Sequence, residues 1–126
     1  MKPLELFGEL IGLQTFAKLH HLAVSKVSAA YQIHVALGAF YAELEDLTDT
    51  LIESYQGKFG VQGIEVKSQT INMPVLNKLK AFATMLESCT AFGEKSTNTY
   101  LYNQIDEITR LTYGTIYKLE NLKDSK

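Results

Sequence analysis

A single cysteine, Cys89, stands in the 126 residues, so the chain can close no internal disulfide and suits a reducing compartment. Basic excess is also missing. Twelve Lys and Arg oppose fourteen Asp and Glu, for a net charge of −2. The terminal Lys123-Asp124-Ser125-Lys126 is too short to neutralise several phosphates, which argues against DNA as a partner. No apolar run approaches the ~20 residues of a membrane span. Glu5 and Glu9 interrupt the stretch where a signal peptide needs unbroken apolar residues, so the expected location is the cytoplasm. The Gly-rich GKFGVQG lacks phosphate-loop spacing, no nucleophile motif of the G-x-S-x-G kind is present, and no Glu-x-x-His occurs. What remains is an ordinary balance of 46% apolar and 21% charged residues, in a length that fits one domain, residues 1–126.

Apolar residues recur at helical spacing in four segments. The spacing predicts helices from about Pro3 to Val27, Ala29 to Tyr55, Pro74 to Phe92 and Thr97 to Leu122. Ser28 and Ser96 are expected N-caps, and Gly93 an expected helix stop. Short connections make the first and second, and the third and fourth, antiparallel hairpins. Between them, about residues 56–73 are too long for a turn and long enough to run the length of a bundle. Two antiparallel hairpins joined by one long crossover make an all-α, ferritin-like four-helix bundle; an up-down-up-down bundle with a long loop is the structural alternative.

The stretch LEDLTDTLIE, residues 44–53, holds four carboxylates. On a helical wheel Asp49 and Glu53 share the face opposite the core stripe, with Asp46 beside them. The same face carries the small or apolar Val35, Gly38, Ala39 and Ala42 in earlier turns. In the first helix Leu4, Phe7, Ile11 and Leu22 also lie off the main stripe. Helices apolar on two sides are expected to bury a second surface, here a two-fold homo-oligomeric interface through Gly38, Ala39 and Ala42. Carboxylates at such an interface need a cation or a partner. His21 is too far from Asp49 along one antiparallel hairpin, yet could meet Asp49 and Glu53 of a second copy. A histidine with two carboxylates suits iron, manganese or zinc. His20 falls on the core stripe and reads as structural, while Cys89 and the tyrosines of the fourth helix read as packing.

The run HHLAVSKVSAAYQIHVALGAFYAELEDLTDTLIE resembles the Dps-type mini-ferritins, which carry a His followed by a bulky residue, a second His, and an Asp-x-x-x-Glu. The match places His21-Leu22, His34, and Asp49 with Glu53 on those positions. The resemblance implies iron bound between subunits across a two-fold axis, ferroxidase activity, and a metal-binding set of His21, His34, Asp46, Asp49 and Glu53. The family's basic DNA-binding tail is absent, and three further features depart from the pattern. His21 and His34 are one residue further apart than usual, Leu22 is not aromatic, and Gly38 stands where the family has an acidic residue. HVALGAFY with ESYQGKFG is similar to a ferritin-like family of tailed bacteriophages. That likeness implies a second reading, in which the bundle is a non-enzymatic phage structural or interaction module, located in the host cytoplasm.

Overall fold

The computed structural model describes residues 1–24 and 29–122. Among these residues it contains four helices and no strand: α1 (Pro3–Ala23), α2 (Ala30–Phe59), α3 (Val75–Glu87) and α4 (Thr99–Glu120). The all-α expectation therefore holds, with the boundaries moved. Residues 25–28, which include the expected cap Ser28, lie outside the described part. The second helix begins after Ala29, whose φ is +60°, and continues past Tyr55 to Phe59. It stops at Gly60, whose φ of +91° breaks the helix at no Cβ cost while its N–H still bonds Gln56 O. The third helix is shorter than the apolar pattern suggests. The Ser88 hydroxyl bonds back to the carbonyls of Thr84 and Met85, and the chain leaves the helix there rather than at Gly93. Ser96 is not a cap; Asn98 occupies that position, and its side chain reaches Phe92 O instead.

Side-chain pairs give the direction of each helix. Phe7 meets Tyr55 and His21 meets His34, so α1 and α2 are antiparallel. Gln104 bonds Ser54, and Lys58 bonds Asn98, so α2 and α4 are antiparallel. Lys80 pairs with Glu120, and Tyr113 donates to Glu87, so α3 and α4 are antiparallel too. Lys78 lies over the Phe16 ring near the C-terminal end of α1, opposite the direction of α3. α2 therefore sits between α1 and α4 and runs the same way as α3, to which the long connection leads. The core these helices share includes Leu6, Leu10, Leu13, Phe16, Phe40, Leu44, Leu51, Leu79, Leu101 and Ile108, all at most 1% exposed. The Phe7 ring is fully buried within this single chain, and Leu4 packs against the same core. Phe7 is thus covered without a second subunit, and Leu4 in part.

The long connection lies on the back of α1. A Cβ on Gly8 would come 2.3 Å from the Glu65 carbonyl oxygen, and one on Gly12 would come 2.8 Å from the Gln69 side-chain nitrogen. Further along, His20 Nε2 is 3.1 Å from Met73 O. Residues 65 to 73 follow α1 from Gly8 to His20, and two glycines a helical turn apart form the groove that admits them.

Candidate functional site

His21 stands in the last turn of α1, where carbonyls have no partner within their own helix, and His34 stands near the start of α2. Each ring bonds the backbone of the other residue: His21 Nδ1 lies 2.5 Å from His34 O, and His34 Nδ1 lies 2.9 Å from His21 O. A carbonyl oxygen can only accept, so both Nδ1 atoms carry the proton and donate. In neutral rings each Nε2 is then left with its lone pair, the tautomer that a metal ligand requires. The two rings stack at 3.7 Å and 18°, and Tyr41 meets His21 edge-on at 5.3 Å.

Gly38 makes this arrangement sterically admissible. A Cβ at residue 38 would come 2.9 Å from His21 Cε1 and 3.2 Å from its Nδ1. The space beside the Cα of Gly38 is taken by the chain's own imidazole. The acidic side chain that the mini-ferritin pattern places at this position cannot coexist with this ring pose. Gly38→Val is accordingly expected to displace the His21 ring, break the reciprocal hydrogen bonds and lower stability by roughly 1–3 kcal/mol. A denaturant midpoint, together with long-range ¹⁵N spectra reporting the imidazole tautomers, checks this. An unchanged midpoint with both Nδ1–H tautomers intact would contradict the packing.

The carboxylates lie elsewhere on α2. Asp46, Asp49 and Glu53 are exposed and, among the described residues, form no ion pair. Fifteen residues of helix separate His34 from Asp49, which is about 22 Å. Among the described residues no three His, Cys, Asp or Glu side chains converge on a metal-sized space. The chain thus brings His21 and His34 together and holds Asp46, Asp49 and Glu53 as a second group on the same helix. Between the groups the outer face of α2 shows exposed Val35, Ala39 and Ala42, with Gly38 half-buried. Tyr31, 74% exposed, extends that face by one turn, and Leu22, 65% exposed, lies at the nearby end of α1. Tyr31 was legible from its position four residues before Val35. The reciprocal histidine bonds carried no spacing signal, because they depend on how the hairpin closes. His20 is half-buried against Phe16, as its place on the core stripe suggests.

Among the described residues the buried polar side chains are Thr48, Asn98, Thr112 and Thr115, and no carboxylate is among them. Thr112 and Thr115 direct their hydroxyls to carbonyls of their own helix, a structural use. No helix of the described residues is long and apolar enough to cross a membrane. Residues 26–119, most of the chain, match the family of unknown function DUF5856, and the chain belongs to that family. No curated protein and no solved structure matches it.

Proposed function

We propose that this DUF5856 protein is a ferritin-like homo-oligomer that binds iron between subunits and oxidises it, with each chain supplying half of the site. One observation carries this reading: two imidazoles with fixed Nδ1–H tautomers at one end of α2, and unpaired carboxylates four turns further along the same helix. Ala42 lies midway between His34 and Asp49. Two copies of α2 crossing antiparallel near Ala42 would bring the histidine end of each to the Asp49 and Glu53 end of the other. The small exposed side chains of Ala39 and Ala42 allow that approach. The helix directions, with α2 and α3 parallel and joined by a crossover, support a ferritin-like connection.

Ferrous iron is the substrate in this reading, each ion giving one electron to dioxygen as it becomes ferric. The donor set fits it: imidazole nitrogens with carboxylate oxygens suit iron, and manganese or zinc would find the same ligands acceptable. His21 and His34 are held by backbone carbonyls, which orient their free nitrogens. Asp49 and Glu53, one turn apart, supply the negative charge, with Asp46 beside them.

The test is aerobic oxidation of ferrous iron, followed by ferric absorbance, for the native protein beside Asp49→Ala/Glu53→Ala. Oxidation at least tenfold faster than buffer, lost in the double variant at unchanged assembly mass, is the expected result. Native oxidation no faster than buffer would overturn it. In that event the second reading stands, a non-enzymatic assembly module. The exposed Leu22, Tyr31 and Val35 favour it, since that apolar face needs a covering surface and requires no metal.

A further inference from the structure

The crossover has a second side. Residues 65 to 73 cover the ~18 Å of α1 between Gly8 and His20, about 2.2 Å per residue against ~1.5 Å in an α-helix and ~3.3 Å in a strand. Among the described residues, residues 61–69 make no backbone-to-backbone hydrogen bond. The Gln69 side chain bonds Lys67 O and Asn72 N–H bonds Thr70 O; the other backbone groups of residues 61–71 have no partner within the described chain, and a row of unpaired N–H and C=O groups is a template for another strand. The segment carries exposed apolar side chains: Val61 is 85% exposed, Val66 44% and Ile71 48%. Glu65 and Lys67 flank Val66, both exposed, and neither forms an ion pair within the described chain.

We propose that the crossover is a self-complementary docking edge, on which residues 61–71 of two copies pair antiparallel about a two-fold axis at Val66. That register is the one in which the sequence complements itself. Glu65 of each copy stands opposite Lys67 of the other, so two cross-strand ion pairs form from four groups unpaired in the single chain. Val66 meets Val66 on one face of the pair and Val61 meets Ile71 on the other, beside the Glu65–Lys67 pairs, so each of the three most exposed apolar side chains of residues 61–71 gains an apolar cross-strand partner. A shift of two residues along either strand places like charges opposite one another or leaves Val61 uncovered. An isologous contact of this kind closes on two copies and uses no residue of the histidine and carboxylate groups. It therefore goes beyond the metal-binding reading and can fail or succeed independently of it.

Charge reversal tests the register. Glu65→Lys and Lys67→Glu each turn both attractive pairs into repulsive ones, and each is expected to weaken self-association on the order of tenfold or more. Mixing the two variants pairs two lysines of one chain with two glutamates of the other, and is expected to restore association as a heterodimer. Sedimentation velocity of the full chains over a concentration series reads all three, with helical circular dichroism confirming folding at these exposed positions. Native protein that stays monomeric overturns the proposal. So does association untouched by either reversal, which would assign the contact to the α2 face. Association weakened by both reversals and not recovered on mixing would overturn the register.

Discussion

Gly8→Val is expected to lower the unfolding free energy by about 2–3 kcal/mol, as overpacking of a tight contact does. A Cβ at residue 8 would meet the Glu65 carbonyl oxygen at 2.3 Å, and that oxygen belongs to backbone held along the helix. The crossover must move for the side chain to fit, which uncovers Gly8 and Gly12, both buried now. Gly12→Val should cost less. Its obstacle is the end of the Gln69 side chain at 2.8 Å, which can rotate away after losing its bond to Lys67 O. Gly114→Ala should do the opposite and stabilise by about 0.5–1 kcal/mol, because it sits inside α4 with nothing within 4 Å of an added Cβ. With a urea slope of about 1–3 kcal/mol per molar, the first variant should shift the midpoint by roughly 1–2 M. If Gly8→Val and Gly114→Ala behaved alike, the crossover could not be seated on α1 as described.

Those glycines show where the sequence was readable and where it was not. The helices came from apolar spacing, which depends on residues a few positions apart, and all four exist. Their ends depended on local competition that spacing does not reveal: Gly60 and Ser88 end α2 and α3, although Gly93 has the more familiar stop chemistry. The length of the crossover suggested that it could run along the bundle. Which helix receives it is not legible from spacing, because Gly8 and Gly12 reveal their purpose only when residue 65 is beside them. Gly38 is the same lesson at the candidate site. As a small residue on an outer face it indicated a close helix, and in the fold it accommodates His21, seventeen positions away. The metal-ligand candidates were visible as residue types, and His21 with His34 do meet. Their meeting with Asp49 and Glu53 requires a second chain, which one sequence and one chain's packing do not specify.

Phe7→Ala is expected to cost about 3–5 kcal/mol, the largest effect of any substitution considered, and to do so at every protein concentration. Phe7 lies off the main stripe of α1, so on spacing alone it belongs to an intersubunit surface, and its loss would change assembly while sparing the fold. In the structure it is fully buried, with its ring edge-on to Tyr55 at 5.2 Å and 6.2 Å from Phe92. Tyr55 continues to Phe59, and Phe92 to Tyr102, whose hydroxyl donates to Gly93 O and accepts from Phe92 N–H. Truncation at Phe7 therefore leaves a cavity where the start of α1, the end of α2 and the α3–α4 connection meet. Leu22→Ala is the matched control, since Leu22 is 65% exposed and should change stability by no more than about 0.5 kcal/mol. Denaturation measured at two concentrations a hundredfold apart separates the cases. A concentration-independent drop for Phe7→Ala places the residue in the core of each chain. A drop below ~1 kcal/mol, or one that vanishes at high concentration, would return it to an interface and would reopen how the start of α1 packs.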